Sequence, residues 1–438
     1  MIIATYPGVV YGGRLCTVII TDGSGLGYGY PIPLTTGEPM DLHTRYPYWL
    51  LKSGFENSYP LLDTDIKTDV AVVGAGITGA LTAFALAEAG LDVIVLEKRH
   101  PGMGSTSAST ALLQYEIDEP LHRLIDLCGR KRAEDSYRAC YQAIDTLAAL
   151  VTRKGLDAEF EKVPSLQYAS YKKDVDSLKR EYTARKRLGF AVSLLGPDEI
   201  KTAYGFTAPA ALLSEQAGQV DAYRLAHGLL ASDLENLRVY DCSELTTLEE
   251  HRRGLTLRLK NGVTVKAAKA VLACGYESLK YLDFHVASIG TTYALATKPL
   301  SDPLPWKERT LIWETKDPYL YLRTTADNRV MAGGRDDEAH NPFKADRALP
   351  RKVKGLLSDL EALLPGVAIY PDFTWAGAFA STRDSLGYIG PVPSRPHVYA
   401  NLGFGGNGIL YSQIGAEVIR AAIEGEKHPY ANTFAFGR

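Results

Sequence analysis

Cysteine is scarce in this chain, and the five present (Cys16, Cys128, Cys140, Cys242 and Cys274) form no Cys-x-x-Cys pair and no metal-like spacing. An odd count excludes a complete disulfide framework, so a reducing compartment, the cytoplasm, is the expectation. His43, His285 and His340 stand alone in the sequence, and no metal site is expected. No surplus of positive charge is present either. With a net charge of −3 and a pI near 6.3, nucleic acid is not an expected partner. No run reaches the roughly eighteen apolar residues of a membrane-spanning helix, so no transmembrane segment is expected. Internal repeats and low-complexity tracts are absent as well. What remains, 46% hydrophobic and 23% charged over 438 residues, is ordinary for a globular protein of two or three domains.

Residues 1–39 are rich in glycine, proline and tyrosine, with one short apolar run at 16–20 that Asp22 ends. That run is too short for the apolar core of a signal peptide. A globular pattern begins only after Met40, at 46–50, so residues 1–39 are expected to be an extension outside the fold. An extra edge hairpin is the alternative, because the segment contains many β-formers.

The informative stretch is 69–97. Residues 70–73 (Val-Ala-Val-Val) read as a buried strand, Gly74, Gly76 and Gly79 as a turn opening a helix, and 92–96 as a second strand ended by Glu97. That order is the dinucleotide-binding fingerprint in its required context. Gly74 permits the tight turn, Gly76 lets the backbone approach a pyrophosphate, and Gly79 lets the helix lie close on the sheet. Glu97 is placed to accept hydrogen bonds from a ribose.

Downstream, 102–111 is a run of small residues suited to close backbone approach. An amphipathic helix is predicted over 120–154 with a break at Gly129, and a charged helix over 174–188. Residues 220–275 return to a nucleotide-domain pattern, with a helix at 222–236, a strand at 237–240, a hairpin turning at 261–262 and a strand ending near Cys274. Strands are predicted at 293–297, 310–313, 319–323 and 329–333, then a helix near 351–364. A glycine-rich turn at 403–408 opens a last helix over 409–424.

Together these segments resemble the D-amino-acid oxidase-like FAD-dependent oxidoreductases, over about residues 46–426. The likeness rests on the fingerprint with Glu97, the small-residue loop 104–111, the Ala-Cys-Gly turn at 273–275, the Tyr-x-Tyr-x-Arg of 319–323 leading to Gly-Gly-Arg-Asp at 333–336, and 384–390 with 403–408. The 319–323 and 333–335 segments look most like the γ-glutamylputrescine oxidase branch. The resemblance implies an α/β fold: a Rossmann-like FAD-binding domain of glutathione-reductase type with an inserted antiparallel-sheet substrate domain. It implies nucleotide segments at 40–150, 220–288 and 371–438 and substrate segments at 151–219 and 289–370.

It further implies FAD contacts at Ile77, Thr78, Lys98, Ser105, Thr106, Ser107 and Ala108, then at Leu245, Cys274 and Gly275. At the C-terminal end the implied contacts are Gly405, Gly406, Asn407, Gly408 and Ile409. The glycine turn suits the negative charge that a reduced flavin develops. Relatives that hold flavin covalently use a cysteine before the C-terminal segment or a histidine after the fingerprint. This chain has no cysteine after Cys274 and has Ser107 and Ala108 in that loop, so the expected FAD is non-covalent. Many amino-acid-oxidising relatives carry an arginine where Phe379 stands; Arg323 or Arg383 are the candidates to replace it.

The implied reaction oxidises the C–N bond of an amine or amino acid by hydride transfer to flavin N5, with the imine then hydrolysed and electrons passed to oxygen or another acceptor. Such chemistry needs orientation more than a strong base. Tyr293, Tyr319, Tyr321 and Arg323 are the candidate pocket residues. The alternatives are a flavin dehydrogenase of a 2-hydroxy acid or polyol phosphate, and a non-catalytic flavin-binding subunit.

Overall fold

The computed structural model describes residues 41–438 apart from 303 and 305, and the expected extension 1–39 lies outside the described residues. Two sheets organise the described chain. In the first, of eight strands, the parallel core runs Val398–Leu402, Thr264–Leu272, Ile66–Val73, Val93–Leu96, Leu237–Tyr240. Parallel strands covered on both faces read as unbroken apolar runs, and the side-chain alternation shows why both faces need covering. Val70, Val72, Val93 and Val95 pack with Leu81 and Phe84 of the helix Ile77–Glu88. Ala71, Val73, Ile94 and Leu96 pack with Leu255 and Leu257 of the hairpin on the other face.

The second sheet has ten strands and is antiparallel except where Leu311–Glu314 lies parallel to Glu161–Tyr168. Its order is His43–Thr44, Pro371–Ser381, Ser288–Thr297, Val330–Asp337, Tyr321–Thr324, Leu311–Glu314, Glu161–Tyr168, Ala211–Gln219, Leu112–Gln114, with Val192–Leu195 beside Ala211–Gln219. The helix Pro342–Leu363 covers one face, where Leu349, Leu356 and Leu360 meet Leu295, Leu322 and Ala332. The other face, with Thr292 and Tyr321, looks onto a cleft.

The break predicted at Gly129 is present, with φ +83° between the helices Leu121–Cys128 and Arg130–Lys154. The helix predicted from 351 begins at Pro342, where Asn341 accepts the Lys344 N–H as N-cap and Pro350 is carried inside the helix. The helix predicted to reach 236 stops at Leu230. The segment boundary expected at 371 is also corrected: Pro371–Ser381 pairs along Ser288–Thr297 in the larger sheet, and the nucleotide sheet resumes only at Tyr388–Pro391.

Candidate active site

Two helix N-termini open onto one cleft. Ile77–Glu88 starts from Gly76, which has no side chain to cap it; Ile77 N–H donates to Thr106 Oγ1 at 2.9 Å. Gly408–Glu424 starts from Asn407, whose amide does not cap its own helix but donates to the carbonyls of Gln114 (2.6 Å) and Glu116 (2.9 Å). The hydroxyls of Thr78 and Ser412, 2.7 Å apart, join the two helices. Gly76, Ile77, Thr78, Gly408 and Ile409 all line the cleft, so both helices direct positive dipole ends into it.

The glycines act through close backbone approach. Gly74 has φ +103°, and a Cβ there would lie 2.7 Å from the Ala273 carbonyl oxygen. A Cβ on Gly79 would lie 1.8 Å from the carbonyl oxygen of Gly74, so helix and turn touch backbone to backbone. Gly79 is thus behind the cleft wall, as is Ser107, whose hydroxyl donates to the Gly104 carbonyl at 3.0 Å. Ser105, Thr106 and Ala108 line the cleft itself, with Cys274, Gly275, Gly405 and Gly406.

At the nucleotide end, Glu97 accepts the N–H groups of Ala75 (2.8 Å) and Arg99 (2.9 Å). Burial pushes its carboxyl above the usual range, against the pull of those two donors. Lys98 lies 2.5 Å from Glu277 and Leu245 closes that side. Burial lifts the Cys274 thiol to about 11, which keeps it protonated and inert at neutral pH.

The opposite end is aromatic and acidic. Tyr319 packs on Tyr321 and Trp313 with ring centroids 5.7 and 5.8 Å apart. Its hydroxyl donates to Asp118 Oδ1 at 2.9 Å, while Asp118 Oδ2 accepts the Gly406 N–H at 3.0 Å. Asp336 also lines this end, and its Oδ1 has no hydrogen-bond partner. Burial, reinforced by the charge of Asp118, pushes its carboxyl up to about 6. Asp118, Gln114 and Trp313 were not among the residues singled out in the sequence, and Asp336 entered only as the end of the Gly-Gly-Arg-Asp segment; the acids Glu116, Asp118 and Glu119, shortly after the small-residue segment, were the available signal.

Two of the expected pocket residues lie elsewhere. Arg323 is buried away from the cleft, with Nη1 donating to the carbonyls of Ala111 (3.0 Å), Val220 (2.9 Å) and Thr110 (3.3 Å) and the guanidinium over the Trp49 ring. Nε and Nη1 serve backbone carbonyls, and the side chain does not line the cleft where a substrate anion would sit. Tyr293 points to the opposite sheet face and donates to Asp337 at 2.6 Å. Arg383 is exposed and also outside the cleft. Tyr321 alone of the three expected catalytic residues faces it.

A parallel nucleotide-type sheet with its glycine turn, backed by a mostly antiparallel sheet that closes the far end of the cleft, defines a dinucleotide-dependent oxidoreductase. The chain belongs to the family of FAD dependent oxidoreductases, whose family model matches residues 69–422. Among curated proteins it is similar to γ-glutamylputrescine oxidoreductase of Escherichia coli K12, 27% identical over 401 residues that cover 88% of this chain and 90% of that protein. It is also similar to glycine oxidase of Geobacillus kaustophilus, 26% identical over 372 residues, 82% of this chain and 93% of that one. The crystal structure of glycine oxidase from Geobacillus kaustophilus superposes with a TM-score of 0.71 at 22% identity, covering 85% of this chain and 99% of that one. L-Proline dehydrogenase from P. horikoshii gives 0.71 at 18% identity, covering 83% and 95%.

The residues fit FAD. A Cβ at Gly76 would reach within 2.9 Å of Thr106 Oγ1, so the cradle beside the helix start exists only because glycine stands there. The cleft is continuous from Glu97 past both helix starts to Tyr321, as a two-part cofactor requires. Among the described residues, no helix is long and apolar enough to cross a membrane.

Proposed function

We propose that this FAD-dependent oxidoreductase oxidises an amine at its C–N bond, binding the substrate between the FAD-binding wall and Tyr319, Tyr321, Trp313 and Phe379. Gly76, Ile77 and Thr78 would hold the pyrophosphate, Glu97 the ribose, and Gly405, Gly406 and Gly408 the flavin end. FAD held there would supply the acceptor, N5, for the hydride equivalent removed beside the nitrogen, and water would hydrolyse the resulting imine.

The chain's own part is orientation and charge. Tyr319 is held by Asp118, and Asp118 in turn by the Gly406 N–H, so the aromatic wall is fixed relative to the glycine turn. The observation that carries the reading is the charge of this end: it is lined by carboxylates, and among the described residues no lysine or arginine lines it. The lining cations, Lys98, Arg99 and Lys280, lie toward Glu97. A 2-hydroxy acid or polyol phosphate would bring an anion to a wall with no cation to meet it, whereas an amine in equilibrium with its ammonium form is attracted. Anaerobic bleaching of the purified yellow protein by amines, with none by 2-hydroxy acids or glycerol phosphate, is the expected result; the reverse pattern overturns the reading.

A further inference from the structure

We infer that the substrate carries a second positive charge and no carboxylate: a diamine or longer polyamine in place of an amino acid. The inference rests on the reading of this cleft as a site of amine oxidation.

The reacting nitrogen must be neutral when its C–H bond is broken, because a lone pair has to stabilise the developing iminium. A monoamine in its reactive form therefore brings no charge to the site. Asp118 and Asp336 both line it, and each stands partly out of water, where an uncompensated carboxylate is costly. Asp118 receives two hydrogen bonds, but the Oδ1 of Asp336 receives none. Behind them Glu116, its side chain 1% exposed, gives Oε1 to Arg185 at 3.3 Å and leaves Oε2 without a partner, again at the cleft. The cation that acts on Asp336 is Lys352, whose ammonium is held by Asp337 (2.5 Å) and the Arg335 carbonyl (2.6 Å). Negative charge at this end thus exceeds what the protein neutralises, and a distal ammonium on the substrate supplies the balance.

Geometry supports the same assignment. Tyr319, Tyr321 and Trp313 line the cleft together with the two carboxylates, the Tyr319 hydroxyl resting on Asp118, and aromatic rings with acids are what recognise alkylammonium groups. An α-carboxylate would face Asp118 and Asp336 with no guanidinium in reach, since Arg323 is bound to backbone carbonyls and Phe379 occupies the wall.

The test uses the purified holoenzyme without oxygen at about pH 8, where side-chain carboxyls are ionised. Tetramethylenediamine, n-butylamine and γ-aminobutyrate share one chain length and differ in the charge at the far end. Flavin bleaching should run at least about tenfold faster per mole with the diamine than with butylamine, and slowest with γ-aminobutyrate, glycine and sarcosine. Rates for γ-aminobutyrate or glycine that equal the diamine's overturn the inference and leave the amine reading intact. Charge recognition is measured apart from oxidation with tetramethylene-bis(trimethylammonium), which has no oxidisable N–H: calorimetry should give an affinity about tenfold above that of butyltrimethylammonium, narrowed in Asp336→Asn and restored in Asp336→Glu. Equal affinities for the two ions overturn the inference even if every amine bleaches the flavin. Failure of all amines to bleach, with the dication still preferred, sinks the amine reading instead.

Discussion

The phenol of Tyr321 lies across Gly333, its direct partner on the adjacent antiparallel strand: a Cβ built on Gly333 would fall 2.3 Å from the Tyr321 hydroxyl oxygen. The absence of one side chain thus sets where this ring stands, 3.3 Å by its hydroxyl from that of Thr292. No ordinary contact is that short, so Gly333→Ala must swing the ring along the cleft. The second-order rate of flavin reduction should fall by about tenfold or more, the usual scale for loss of orientation at a reacting centre, while FAD content stays normal. A Gly333→Ala protein that reduces its flavin at the wild-type rate would show that the ring position is unimportant.

Gly76→Val should yield folded protein that does not retain FAD. The added side chain meets Thr106 Oγ1, which already accepts the Ile77 N–H, and fills the space where backbone approaches the pyrophosphate. Retention of yellow colour through gel filtration, at the wild-type ratio of flavin to protein, would contradict this.

The nucleotide half was legible because its signals are local. A strand, three glycines, a helix and an acid follow one another within 66–97, and each glycine's reason lies in that same unit, as Gly79 against Gly74 shows. The substrate end was legible only in part. Strand alternation turns Tyr293 and Thr292 to opposite faces, and which face meets the cleft depends on what packs behind, here Leu349 and Leu356 of a helix that follows later. Arg323 shares a face with Tyr321 two residues earlier but lies beyond the cleft, where carbonyls from 110, 111 and 220 converge; nothing in the strand's own sequence announces them. Asp118 and Asp336 are distant in the chain and meet only through the fold.

Arg323 should accordingly prove a structural residue. Its guanidinium bridges three distant segments, and burial with no carboxylate in contact holds its pKa down near 10. Arg323→Ala leaves several buried carbonyls without donors and should cost about 3–5 kcal/mol of stability. Arg323→Lys cannot reproduce the planar fork and should fall between. Thermal melting is the measurement; an alanine variant as stable as wild type but with a raised KM would return Arg323 to the substrate site.

The flavin should leave the protein on acid or heat denaturation. Among the described residues no histidine lines the cleft, and the cysteine that does, Cys274, sits at the dinucleotide wall with its thiol pushed up to about 11 by burial. A protonated, buried thiol is a poor nucleophile. Fluorescence that stays on the polypeptide in a denaturing gel would establish a covalent link.

Asp336 should reveal itself through the pH dependence of stability. In the fold its carboxyl is pushed from 3.8 up to about 6, first by burial and then by the charges of Asp118 and Asp317, with Lys352 and the Thr292 hydroxyl opposing. The folded state therefore holds this proton more tightly than the unfolded chain does. Its ionisation costs nothing below the unfolded pKa, grows through the interval between the two values, and weighs fully on the fold above about 6. Asparagine removes the charge at nearly constant volume. Asp336→Asn should therefore be more stable than wild type at about pH 8, by about 1–2 kcal/mol once partial exposure is allowed for, and melt correspondingly higher, and the difference should vanish near pH 4. The same variant should lose turnover with amines, because the carboxylate that costs the free fold stability is the one an ammonium would satisfy. Identical melting differences at both pH values would mean that Asp336 is already neutralised within the protein.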